Sequence, residues 1–211
     1  MNLITVDGLQ ASGKTTYTEM LCEHFRTQYN PLWRGYDQKI YHLQTDEIPG
    51  GAGIRIFPWL STIKTAQATR WHGHKTVITD EFWRPILDHD FEPDDDILKS
   101  ILTGIKHERG WLPTCSFYVR ISLEDSHRRT VQRDLQRRHV VRDPDDADLS
   151  GFDFSNPDLS ILNNKYVEIS SWLSQSLPFF HIIDGNQSKK DIFNEMMKIL
   201  GEPQYEPREP A

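Results

Sequence analysis

Eight residues near the start of the chain, Gly8-Leu9-Gln10-Ala11-Ser12-Gly13-Lys14-Thr15, constrain it more than anything that follows. They fit the pattern G-x-x-x-x-G-K-[ST] in full. The apolar run at 3–6, bounded by Asp7-Gly8, reads as a buried strand, and residues 14–26 read as a helix with Met20, Leu21 and Phe25 on one face. A strand that turns through glycines into a helix aims backbone N–H groups at one point, which suits a phosphate. Gly8, Gln10, Ala11, Ser12, Gly13, Lys14, Thr15 and Thr16 are therefore the expected nucleotide-binding residues. Lys14 would reach the β- and γ-phosphates of ATP, and the Thr15 hydroxyl would ligate Mg²⁺. A chance match in an ordinary turn is the plainer explanation; the strand before and the helix after argue against it.

The rest of the chain alternates. Strands are expected at 76–79, ending on Asp80-Glu81, at 116–122 and at 181–183, with a weaker one at 32–36. Helices are expected at 61–71, 97–107, from 124, at 162–174 and at 189–200, and the polar, acidic stretch 143–157 reads as a loop. Strands alternating with helices imply parallel pairing through right-handed crossovers, so the fold class is α/β, a three-layer αβα sandwich. One domain over 1–200 is expected, with a lid at about 124–157. The stretch 201–211, with its three prolines, reads as a disordered tail.

Composition excludes several classes. With 37% hydrophobic and 26% charged residues the chain is globular. A net charge of −7, from 31 acidic and 24 basic residues, argues against extended contact with nucleic acid. No apolar stretch approaches the roughly 20 residues of a membrane span. The chain opens directly on a strand, and Cys22 and Cys115 read as buried thiols, so a cytoplasmic protein is expected. The nine histidines lack metal-ligand spacing.

Two further constellations carry chemistry. A strand ending in Asp80-Glu81 brings carboxylates to the carboxyl edge of the sheet, where ligands of open α/β sheets bind. Asp80 could orient a Mg²⁺-bound water or hold an acceptor sugar, and Glu81 could do the same or act as a base; a solvated acidic turn is the bland alternative. The second constellation is Arg128, Arg129, Arg133, Arg137, Arg138 and Arg142, with Arg129, Arg133 and Arg137 at helical spacing on one face. Arg133 and Arg137 are the candidates to stabilise charge on a transferring phosphoryl group. Glu124, Asp125 and Asp134 between them also suit a plain solvated helix, the simpler reading for any single arginine. Among six tryptophans, Trp59 or Trp83 is by position the candidate to stack on a base, with core the simpler reading for each alone.

With these residues in place, the chain resembles the thymidylate kinases and related deoxynucleoside kinases. The likeness runs from Ile4-Thr5-Val6-Asp7-Gly8-Leu9 through Lys14-Thr15-Thr16, Thr65-Ala66-Gln67-Ala68-Thr69-Arg70, Gly73 and Val77-Ile78-Thr79-Asp80. It ends with Tyr166, Pro178, Ile182-Ile183-Asp184-Gly185 and Gln187-Ser188. The resemblance implies a parallel sheet of about five strands, use of ATP and Mg²⁺ (with Thr15 and Asp80, from the loop and the strand end, as the metal-site candidates) and an arginine-bearing lid. Such kinases are often homodimers, though no interface is legible here. It also implies an acceptor pocket lined by Arg70 and Asp80; Arg34, Asp37, Trp83 and Arg84 complete the candidate substrate-binding set.

The departures bear on the acceptor. Gln10 stands where the family usually has an acid, Glu81 where it has arginine, and its Arg-Glu-Pro-Gly-Gly loop is only echoed by Asp46-Glu47-Ile48-Pro49-Gly50-Gly51. A monophosphate acceptor needs cations, which Arg34, Arg55, Arg70 and Arg84 could supply. A hydroxyl acceptor profits from a carboxylate that takes its proton, with Asp37, Asp80 and Glu81 as candidate bases. The chain-wide resemblance puts a (deoxy)nucleoside monophosphate slightly ahead. The alternatives are a hydroxyl on a deoxynucleoside, modified nucleotide or DNA base, and a nucleotide-binding protein without turnover.

Overall fold

The apolar residues that open the chain form the strand around which the molecule is built. A computed structural model describes residues 2–25, 76–80, 82, 83, 87, 113–138, 141, 143, 147–151 and 157–202. In chain order these form β1 (Asn2–Gly8), α1 (Lys14–His24), β2 (Thr76–Asp80), β3 (Cys115–Arg120), α2 (Leu123–Arg137), α3 (Pro157–Ser176), β4 (Phe180–Asp184) and α4 (Lys189–Leu200). The four strands described make one sheet in the order β2-β1-β3-β4, every pair parallel. The expected additional strand at 32–36, the helices at 61–71 and 97–107 and the tail 203–211 lie outside the described residues.

Register follows from side-chain alternation. Ile4 lies beside Ile78 and Cys115, Val6 beside Asp80 and Phe117, and Val119 beside Ile183. Those apolar residues face α1 and α4, where Tyr17, Leu21, Ile192, Phe193, Met196 and Met197 complete one buried cluster. Removing side chains such as Phe117, Phe193 or Leu21 from water contributes about 1.5–3 kcal/mol apiece. The alternate positions Thr5, Asp7, Ser116 and Tyr118 face the other way. On that side α3 packs against β4, with Ile169 and Leu173 buried, and α2 packs against α3. Helices on both faces of a parallel sheet give the three layers expected.

Several boundaries move for identifiable reasons. Strand β3 stops at Arg120 rather than 122, because the Ser122 hydroxyl accepts the Asp125 N–H at 2.9 Å and caps α2. Helix α3 starts at Pro157, five residues before 162 and inside the stretch read as loop. Proline suits a first helical position, whose N–H has no intrahelical partner. Gly201 and Glu202, assigned to the tail by composition, close α4: their N–H groups donate to the carbonyls of Lys198 and Met197 at 3.1 and 2.9 Å. No helix among the described residues is long and apolar enough to cross a membrane.

The face opposite the main cluster is polar inside. The Thr5 hydroxyl and the Trp83 Nε1–H both donate to Ser116 Oγ at 2.9 Å, and all three residues are fully buried. The Trp83 ring lies edge-on to Phe82 and Phe180 and stacked against Phe179. We expect Trp83→Phe to lower stability by about 1–3 kcal/mol, through the lost indole donor and the space vacated. Urea unfolding followed by far-UV circular dichroism measures this.

Candidate active site

The loop that leaves β1 is shaped by its two glycines. Gly8 has φ +147°, and a Cβ there would sit 2.5 Å from the Val119 carbonyl oxygen and 2.6 Å from Ser12 Oγ. Gly13, at φ +94°, caps α1, and a Cβ would meet the Tyr17 ring at 2.8 Å. Between them Ala11 is held at φ +58°, a left-handed conformation costing a non-glycine residue about 1–3 kcal/mol. Ser12 N–H closes the turn onto the Leu9 carbonyl at 3.2 Å. Lys14 arches back over the loop, donating to the carbonyls of Gly8 and Leu9, both at 2.9 Å.

The start of α1 differs from those of α2 and α4. Both of the latter begin with a serine, Ser122 and Ser188, that accepts a backbone N–H three residues on, and both carry acids in the first turn. Helix α1 has neither a side-chain cap nor an acid in its first turn. Its N-terminal N–H groups and positive dipole end are thus directed at whatever occupies the loop.

Asp7, one residue before the loop, was absent from the candidates drawn from sequence. Its carboxylate is 1% exposed. Oδ1 accepts the Trp83 backbone N–H at 2.8 Å, and Oδ2 has no hydrogen-bond partner among the described residues. Burial pushes this carboxyl up to about 7, while the Trp83 N–H and the Lys14 ammonium pull it down and Asp80 pushes it up. The signal in the sequence was an acid at an alternating position of an otherwise apolar strand, next to the first loop glycine.

Asp7 lies in a cleft of about 210 Å³ beside the loop. Gly8, Leu9, Gln10 and Lys14 form the loop side, and Leu87, Tyr118, Leu123, Ser126 and Tyr166 the opposite wall. Helix α2 is tied to this cleft at its base. Ser126 Oγ donates to the Gln10 carbonyl at 2.7 Å, and the Leu123 N–H donates to Asn163 Oδ1 of α3 at 2.9 Å.

The structure sorts the arginines of α2. Arg129 and Arg133 are half-buried; Arg129 donates to the Gly185 carbonyl at 3.5 Å, and Arg133 Nε is buried with no hydrogen-bond partner among the described residues. Arg128 pairs with Asp125 on the outer side. Arg137, at helical spacing from Arg133, is exposed in the last turn. Asp80 is 8% exposed at the carboxyl end of β2, Thr16 is half-buried, and Thr15 is exposed in the first turn of α1. Trp83 requires a correction: its indole is enclosed by Phe82, Phe179 and Phe180 and presents no face for stacking on a base. Arg34, Asp37, Arg70, Glu81 and Arg84 lie outside the described residues.

No protein-family model and no curated protein matches the chain. Solved structures do. A deoxyadenosine kinase from M. mycoides with bound dATP is 13% identical, with 95% of this chain and 100% of that one covered and a TM-score of 0.56. The same kinase with dCMP and a flexible dCDP bound is 15% identical, with 94% and 98% covered and a TM-score of 0.51. The chain is similar in fold to these two structures.

The Asp7 carboxyl makes stability depend on pH. Its proton is held to about pH 7 when folded and released near 3.8 when unfolded, so the native state binds more protons in that window. This contribution is complete below the unfolded value and is lost as pH rises through about 7. Asp7→Asn keeps an acceptor for the Trp83 N–H and removes the titration. We expect the variant to exceed wild type in stability by roughly 2–4 kcal/mol at about pH 8, with the difference closing toward about pH 4. Urea midpoints across pH measure it.

Proposed function

We propose that the chain is a P-loop kinase that uses ATP and Mg²⁺ to phosphorylate a hydroxyl of a small nucleoside-type acceptor bound in the cleft beside the loop. The observation that carries the reading is the pairing, in one cleft, of the loop lysine Lys14 with the buried carboxylate of Asp7. The fold likeness to deoxyadenosine kinases supports the same class of chemistry. A hydroxyl gives up a proton as its oxygen bonds the γ-phosphorus and the bond to the bridging oxygen breaks, so it needs an acceptor nearby. Asp7 joins Asp37, Asp80 and Glu81 as a candidate for that proton.

The residues present suit a nucleotide. Both glycines let the loop pack tightly against Val119, Ser12 and Tyr17 at positive φ, and the start of α1 is open to an anion. No group of three or more His, Cys, Asp or Glu side chains able to hold a metal occurs among the described residues. Thr15 with Asp80 is instead a sparse donor set, of the kind that shares Mg²⁺ with substrate phosphates. Bound there, Mg²⁺ would neutralise charge developing on the β- and γ-phosphates. In this reading Lys14 holds those phosphates, and Arg133, ahead of Arg137, stabilises the transferring group as α2 and the residues to 157 act as a lid.

A monophosphate acceptor, slightly preferred on sequence, is the second reading, with Arg34, Arg70 and Arg84 as its cations. Beside the loop lysine Lys14, the cleft offers the phenols of Tyr118 and Tyr166 and the carboxylate of Asp7 to the acceptor, and that carboxylate favours the hydroxyl. We extend the proposal to a cytoplasmic enzyme able to form a homodimer. The buried free thiols Cys22 and Cys115, pushed up to about 11 and 12, suit a reducing compartment.

The test is ADP release by purified protein with Mg²⁺ and ATP, comparing each deoxynucleoside with its 5′-monophosphate. Stimulation by nucleosides alone supports the proposal; stimulation by monophosphates alone replaces it with the second reading. In either case Lys14→Ala should lower turnover by about 10³-fold or more with the fold intact. Undiminished turnover in that variant would exclude the mechanism.

A further inference from the structure

The hydrogen bond between α2 and the phosphate-binding loop has a geometric consequence for the loop's shape. Ser126 is 5% exposed and its hydroxyl donates to the Gln10 carbonyl oxygen at 2.7 Å. No peptide bond described is cis, so the Ala11 N–H of the same peptide unit points opposite to that carbonyl. Holding the carbonyl toward α2 therefore holds the Ala11 N–H away from α2, among the loop N–H groups that converge on a phosphate. The residue that must adopt an unusual conformation to allow this is Ala11 itself, left-handed at φ +58° without being glycine.

Ser126 is fixed in its own place. Its N–H donates to the Ser122 carbonyl at 2.9 Å, and its carbonyl accepts the Thr130 hydroxyl at 2.8 Å. The start of α2 is held independently by Ser122 as cap and by Asn163 of α3. The serine hydroxyl thus reaches the loop from the anchored first turn of α2.

We propose that Ser126 is a positioning residue for the nucleotide, which keeps the Gln10–Ala11 peptide in its phosphate-binding orientation against the conformational preference of Ala11. This rests on the nucleotide-binding reading above. It touches no reacting atom and acts through the loop backbone. Without its hydroxyl, Ala11 relaxes toward ordinary backbone angles and the peptide turns its N–H away from the phosphate.

The test is calorimetric titration of the full chain with MgATP, with folding checked by circular dichroism. Ser126→Ala should weaken binding about three- to tenfold, the effect of one lost hydrogen bond. Ser126→Thr, which retains the hydroxyl, should restore binding to within about twofold. Ser126→Cys fills a similar volume with a weak donor and should reproduce the loss if Ser126→Ala is too unstable to titrate.

The discriminating arm is the Ala11→Gly background. Glycine takes the left-handed region without strain, so Ser126→Ala there should cost no more than about twofold. A merely structural role would give the same loss in both backgrounds. Binding by Ser126→Ala within twofold of wild type, or an equal loss with Ala11 and Gly at that position, overturns the inference while leaving the kinase reading in place. No MgATP binding by the wild type overturns both.

Discussion

The hydrogen bond from the Trp83 N–H to the Asp7 carboxylate joins the two places on which the site depends. Asp7 ends the apolar part of β1 just before the glycine loop, and Trp83 follows the carboxyl end of β2, where Asp80 sits. Adjacent parallel strands bring those ends side by side, and this bond fixes how the chain leaves them. It is buried on the same face as the Thr5, Ser116 and Trp83 network, so a polar chain runs under the site from sheet to loop. Groups buried this way are expensive to leave unpaired. Of the three buried side-chain atoms without a hydrogen-bond partner among the described residues, Asp7 Oδ2, Ser12 Oγ and Arg133 Nε, the first belongs to a residue that lines the cleft.

The elements legible in the sequence were those set by local physics. The strand-to-helix turn at Gly8, the strand ending at Asp80 and the helix α4 over Lys189–Leu200 follow from apolar period, glycine spacing and capping. Parallel pairing followed from the alternation of strands and helices. The start of α3 at Pro157 was not legible, because composition around it signals loop while proline at a helix start is favoured for a reason composition does not register. The end of β3 differs for a similar cause: Ile121 prolongs the apolar run of the strand, whereas Ser122 serves as the cap of α2.

The site was legible to the extent that its residues lie within one loop. Periodicity put Arg129, Arg133 and Arg137 on one face, but a helix advances by slightly more than one turn per four residues. The drift leaves Arg133 half-buried and Arg137 in solvent. Asp7 looks in sequence like a strand terminator; its acidity is shifted upward chiefly by burial and further by Asp80, against the Trp83 N–H and Lys14, an environment built from parts far apart in sequence. For Trp83 the sequence leaves base stacking and core both open, because aromatic content alone does not reveal the phenylalanines that enclose it; burial decides for the core. The bond from Ser126 to Gln10 spans 116 residues and left no trace in local pattern.

The uncapped start of α1 has a consequence for how binding and stability share one free energy. Helices α2 and α4 carry their own terminators in Ser122 and Ser188, and are complete in the polypeptide alone. Helix α1 lacks one, so an anion seated at its first turn supplies what serine supplies elsewhere. On the proposed function, occupancy would add to the stability of that first turn by linkage. Amide exchange in α1 would then act as a local gauge of occupancy.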